Sequence, residues 1–452
     1  MSINIKIDFK PVKNLFDQAV AKFNIWYLLL ISFALHLFSI GFPSDGGLIF
    51  DETYYVPAAE NTLKGIAANA EQMPLAKIMV ALSIKIFGDY WFAWRFPILI
   101  CCMISLYAFY LIAKQFMTER YALYAATLLS FDIIFFVHGS IFVLDMPSIA
   151  FGLLGIYLYL TKRYSWSAFS FAVSFLMYAV ALLFLAAVVL YHIFTHINLK
   201  KMAVHANYRK FLTFLLIFLA VSGGGLWLYE AVYKPSSATT ITQNVAVNVY
   251  ENTNSSAVTT VTNTVNSTSN KIMDNPISQL AFQWSYFSSL STTLQTPASQ
   301  YRPAWTWILP VGNSLNPPHY YTVAVTANGV THTTIDWVSQ ITPFVEYFLI
   351  PILIVALIYT VSKRDKENTG KFLIAWIFAT FMPFLALSVI AYPNWTNFNY
   401  YMLDTIPACA LGIPYFWDKV VKNNRTRWAI MGVQIALVIL FFFYYFPVKL
   451  IQ

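Results

Sequence analysis

Charge is what this sequence has least of. Of its 452 residues only 11% are Asp, Glu, Lys or Arg, against 58% hydrophobic and 18% aromatic. A soluble domain carries about 25% charged residues, so a water-facing surface is excluded for most of the chain. Cysteine is also scarce. Cys101, Cys102 and Cys409 all lie in apolar runs, which leaves neither a disulfide framework nor a cysteine zinc site. There is no D-x-D and no H-E-x-x-H, so a metal centre for a nucleotide sugar has no visible ligands and no metal cofactor is expected. The first residues, MSINIKIDFKPVKNLFDQAVAKF, lack the short apolar core and small-residue cleavage site of a secretory signal.

Long apolar runs dominate instead, and the mean hydropathy is +0.60. Runs of about 20 apolar residues are the mark of membrane-spanning helices. The chain is therefore expected to be an all-α polytopic membrane protein, with spans near 25–42, 93–113, 120–138, 146–161, 165–178, 179–197, 211–232, 343–361, 371–391, 399–417 and 427–447. The segment 166–197 reads either as one overlong helix or as two short ones. Two helices keep 20 of the 28 lysines and arginines on the N-terminal side, as the cytoplasmic preference of basic residues requires. Eleven spans follow, with the N-terminus inside. The net charge of +8 is then a set of cytoplasmic anchors, and no nucleic-acid partner is implied.

This topology divides the chain into an N-terminal membrane region (1–232) with a first outer loop at 43–92, a long outer loop at 233–342, and a C-terminal membrane region (343–452). Residues 235–270 hold 22 Ser, Thr or Asn among 36, a composition that buries little. HYYTVAVTANGVTHTTIDWV (319–338) alternates around Asn328-Gly329, which predicts a β-hairpin.

The first outer loop opens FDETYY (50–55), placing Asp51 and Glu52 beside Tyr54 and Tyr55. Two readings are open: the acids solvate the loop and cap a helix, or they line a site together with Asp145 at another outer helix end. Pro74 starts a surface helix carrying Lys77, and Arg95 opens the second span among aromatics. Arg95 and Arg302 are the only outer arginines; each either anchors at the interface or binds an anionic head group. Trp305 and Trp307 either stack on a sugar or prenyl chain or anchor at the interface. Asp132 reads as a buried packing acid, and His138 as a hydrogen-bonded core histidine.

The ordered set FDE-x-YY, E-x-x-P-L-x-K, G-D-x-x-x-x-W-R-x-P, the stretch LLSFDIIFFVHGSIFVLDMPSIAFGLL (128–154), SQYRPAWTWILP (299–310) and FNYYMLDTIPACALGIPYF (398–416) resembles the protein O-mannosyltransferases. These are polyprenyl-phosphate-sugar-dependent enzymes of the GT-C fold. The resemblance implies a GT-C bundle with a small mixed outer-loop region. It also implies a hexosyltransferase that moves mannose from a dolichyl- or polyprenyl-phosphate carrier to a Ser/Thr hydroxyl of a protein, with inversion. Asp51 matches the family's catalytic acid and Glu52 its partner, Lys77 and Arg95 match donor positions, and Asp132 and Asp145 match acids flanking the site. Arg302 joins the cations proposed for the leaving phosphate. The chain departs from the pattern at Gln72-Met73, where the family has His-Pro, at Ser140, where it commonly has arginine, and in lacking a β-trefoil insert. These departures keep the related aminoarabinose transferases, which act on lipid, as an alternative. A transporter is the second alternative, though no matching halves are visible. Without outer cysteines or the trefoil, the expected location is a prokaryotic plasma membrane with the site on its outer face.

Overall fold

The computed structural model describes residues 23–42, 47–198, 203–204, 208–235, 244–245, 261–262, 275–293, 303–309, 318–327, 330–365, 367–390 and 398–446. Arg302, the Asn328-Gly329 turn and nearly all of 235–270 lie outside them.

The protein is a helical bundle. In chain order its helices are α1 (Ile25–Ser39), α2 (Glu52–Leu63), α3 (Leu75–Phe87), α4 (Trp91–Ala113), α5 (Glu119–Ser130), α6 (Ile133–His138), α7 (Asp145–Leu160), α8 (Tyr164–Met177), α9 (Leu182–His196), α10 (Tyr208–Tyr233), α11 (Pro276–Thr293), α12 (Pro343–Glu346), α13 (Leu349–Val361), α14 (Thr369–Ile390), α15 (Ile406–Val420) and α16 (Asn424–Tyr445). Among the described residues five helical stretches are long and apolar enough to cross a membrane: Trp91–Ala113, Arg209–Tyr233, Pro343–Val361, Thr369–Ile390 and Asn424–Tyr445. Shorter apolar helices, Ile25–Ser39, Asp145–Leu160 and Ala179–Thr195, accompany them.

Local chemistry sets the boundaries. Asn24 accepts from the Trp26 amide at 3.0 Å to start α1, and Asn423 accepts from Arg425 and Thr426 at 2.9 and 3.2 Å to start α16. Pro74 precedes α3, and Gly88, at φ +93°, ends it. The run 166–197 is two helices. Extended backbone at Tyr178 (φ −159°) ends α8, and a short 3₁₀ turn leads into α9. The run 120–138, expected as one span, is broken at Phe131-Asp132. There the Asp132 carboxylate leaves the helix and accepts from the Phe135 amide at 2.9 Å to start α6.

Helix α7 packs between α4 and α8 at the centre of the bundle, and α9 packs on α14. Strands β1 (His319–Ala327) and β2 (Val330–Ser339) pair antiparallel, with Asp336 left over in a bulge where Tyr321 faces Trp337 and Thr322 faces Ile335. The foot of this hairpin, Tyr321, Trp337 and Val338, is buried in the core. Two-residue pairs at Ile197–Asn198 with Ala203–Val204 and at Asn244–Val245 with Val261–Thr262 complete the described β structure.

Candidate active site

The site forms where the chain leaves α1 and turns into α2. Phe50 holds a positive φ of +52°, unusual for a bulky residue; Asp51 and Glu52 then enter the first turn of α2, where successive side chains stand about 100° apart and so point in different directions. Glu52 turns inward and is wholly buried. Its carboxylate accepts four hydrogen bonds: from Arg95 Nε and Nη2, both at 2.7 Å, from the Ile49 amide at 3.0 Å and from the Phe142 amide at 2.9 Å.

Arg95 is equally committed. Its guanidinium has five N–H donors, and besides the two to Glu52 it donates to the carbonyls of Ile40 (3.0 Å), Phe42 (2.7 Å) and Gly47 (3.3 Å). No donor is left for a phosphate, so the anion-binding reading of Arg95 gives way to a structural one. The same correction applies to Lys77. Its buried ammonium donates to the carbonyls of Asn69 and Gln72 (3.0 Å) and to Asn69 Oδ1 (3.2 Å), stapling the loop before α3. Burial pulls its pKa down to about 7. Glu52, likewise, is not free to react; it is a positioning residue. One of its oxygens fixes Phe142, three residues before Asp145, while its backbone follows Asp51. A single buried carboxylate thus sets the relative placement of both other acids.

Asp51 turns the other way and is partly exposed. The Tyr55 hydroxyl hydrogen-bonds it, yet burial, followed by the nearby charge of Asp145, pushes its pKa up to about 7. Tyr54 stands within electrostatic reach, as do Tyr178, Tyr286, Tyr321, Tyr400 and Tyr401. Asp145, in the first turn of α7, has its Oδ2 at 3.6 Å from His138 Nδ1, and the other ring nitrogen of His138 meets the Tyr321 hydroxyl at 3.0 Å. The hairpin foot closes over Phe50, whose ring meets His319 at 5.5 Å, Tyr321 at 5.0 Å and Tyr400 at 5.8 Å. The groups gathered around Asp51 are thus acidic and phenolic, of the kinds that hydrogen-bond hydroxyls.

Of the remaining sequence candidates, Trp305 is exposed, whereas Trp307 is fully buried against Phe381, Phe384 and Tyr401. Trp307 therefore backs the tyrosine wall and cannot itself stack on a ligand. Asp132 is buried beside Glu346. Sequence reading quoted Tyr321, Tyr400 and Tyr401 only within longer segments, and missed Tyr178 and the partnering of His138 with Asp145. The last pair, seven residues apart, left a local signal.

An apolar groove of about 360 Å³ is lined by Pro74, Leu75 and Ile78 of α3, Leu176 of α8 and Leu228, Tyr229 and Val232 of α10. Tyr229 lies within electrostatic reach of Glu71, and Glu71 within reach of Tyr286. Tyr286 is in turn within electrostatic reach of Asp51, so the groove and the acids share one end of the bundle.

Residues 71–227 match the family model described as dolichyl-phosphate-mannose-protein mannosyltransferase. A search of curated protein sequences finds no match. Among solved structures, the chain is similar to the Pmt1-Pmt2 protein O-mannosyltransferase complex of S. cerevisiae bound to the sugar donor (TM-score 0.65, 10% identity, covering 94% of this chain and 89% of that one). It is also similar to ArnT from Cupriavidus metallidurans bound to undecaprenyl phosphate (TM-score 0.55, 12% identity, 92% of this chain). A third similar structure is the Archaeoglobus fulgidus oligosaccharyltransferase in its apo form (TM-score 0.53, 13% identity, 94% of this chain and 55% of that one). The chain spans 63% of the length of the ArnT chain. All three are glycosyltransferases, and the chain has their GT-C fold.

Proposed function

We propose that the protein is a membrane glycosyltransferase that moves a sugar, mannose by the family match, from a polyprenyl-phosphate carrier to a Ser/Thr hydroxyl of protein on the outer face. The observation that carries this reading is Asp51: a partly exposed carboxylate, held near pKa 7 by burial and by Asp145, and surrounded by tyrosine hydroxyls. A general base serves best with a pKa near the working pH, and such a base contributes about 10²–10⁴-fold. The acceptor oxygen attacks the anomeric carbon while its proton passes to Asp51. The bond from that carbon to the phosphate oxygen breaks, and its electron pair leaves on the polyprenyl phosphate. One displacement inverts the anomeric centre. Asp145, aligned by His138, and the tyrosines orient sugar or acceptor hydroxyls. The groove takes the first isoprene units of the carrier. With Arg95 and Lys77 committed to protein carbonyls, Arg302 is assigned to the departing phosphate.

A second reading, transfer to a lipid, is supported by the likeness to ArnT. Labelled polyprenyl-phosphate mannose, offered to the protein in nanodiscs with both Ser/Thr peptides and membrane lipid, separates the two. Label in peptide supports the first reading; label in lipid alone replaces it with the second.

A further inference from the structure

Helix α11 is built inside out. Gln279 and Gln283 are buried and Tyr286 lies on the same side, at i, i+4 and i+7, while Ile277 is 78% exposed and Trp284 76%, with Leu280 between them also exposed. A helix on the surface of a soluble domain turns its apolar stripe to the core; this one turns it away. The buried face is polar by use as well as composition. Gln283 Nε2 donates to the Ala70 carbonyl at 3.1 Å, next to the loop that Lys77 staples, and neither amide atom of Gln279 has a partner among the described residues.

The outward stripe has a neighbour of the same kind. Helix α11 packs on α10, one of the long apolar helices, which exposes Trp227, Leu228 and Val232 near the same end. Most of α10 is unburied by protein, so in a membrane its outer surface lies against lipid. The 277–280–284 stripe continues that belt, with a tryptophan suited to the boundary between headgroups and hydrocarbon.

We propose that α11 is an interfacial membrane helix, its Ile277, Leu280 and Trp284 face seated in the lipid leaflet at the site end and its glutamine face closing the site on the lipid side. The partner is bilayer lipid. The segment 276–293, although it belongs to the long polar loop, re-enters the membrane boundary there.

Single cysteines at Ile277, Trp284 and the exposed polar Asn275 test this, because the three native cysteines are buried and leave the introduced thiol as the reporter. Each is labelled with bimane in nanodiscs containing phosphatidylcholine spin-labelled at acyl carbon 5. Positions 277 and 284 should be quenched several-fold more by the spin-labelled lipid than position 275, with aqueous iodide giving the reverse order. Strong iodide quenching at 277 and 284 would overturn the proposal in favour of a water-facing helix. Protection from both quenchers, with crosslinks between copies, would overturn it in favour of a protein interface.

Discussion

Asp51 and Glu52 are adjacent in sequence and opposite in role, and the difference comes from which way each side chain turns. With its carboxyl raised from the ordinary 3.8 to about 7, Asp51 is protonated below neutrality and cannot accept the acceptor's proton. Transfer should therefore fall as pH drops through about 7, with a slope near one in a log rate plot, and level off above it; a profile flat from pH 5 to 8 would remove Asp51 from the base role. Glu52 should act on stability. Glu52→Gln leaves the Arg95 guanidinium buried against a neutral amide, and breaking a buried pair in this way costs about 3–5 kcal/mol, read as a lowered thermal midpoint in nanodiscs. The motif made both acids visible as candidates. It could not tell them apart, because the four donors that fix Glu52 come from residues 49, 95 and 142, which only folding brings together.

At the scale of elements, the turn between α6 and α7 carries the site's geometry. Gly139 opens that turn against α1 and α4: a Cβ there would stand 2.6 Å from Cys102 Sγ and 2.8 Å from the His36 ring. Ser140, next to it, bonds His36 Nδ1 at 2.7 Å, and Phe142 bonds Glu52. Gly139→Ala should force the turn outward, costing about 1–3 kcal/mol in overpacking. It should also lower kcat more than it changes KM for the carrier, because Asp145 would shift while the groove stays intact. Unchanged kcat in a destabilised protein would show that the turn serves packing alone. The hairpin was legible from alternation around Asn328-Gly329, and the division of 166–197 from the distribution of lysine and arginine. The break at Asp132 was not legible, since an apolar run on both sides hides a cap whose only mark is one acid. The reversed polarity of α11 was equally hidden: its pattern shows two stripes but not which of them faces inward.

For the whole molecule, the acids, tyrosines and hairpin foot gather at one end of the bundle. Tyr110 with Glu119 and the Lys419–Asp418–Arg427 cluster mark the other. Cysteines at the exposed Thr53 and Lys363 should react with a membrane-impermeant maleimide on opposite sides, Thr53 alone in intact cells; labelling of both would overturn the topology. Composition was enough to read the bundle and the motifs its site end, but the tyrosine wall joins residues from 54 to 401 and exists only in three dimensions. The most direct test of the account compares wild type with Asp51→Asn for transfer from labelled polyprenyl-phosphate mannose, with carrier binding measured in parallel. The account predicts that binding is retained while transfer falls about 10²–10⁴-fold; transfer at the wild-type rate by the variant would contradict it.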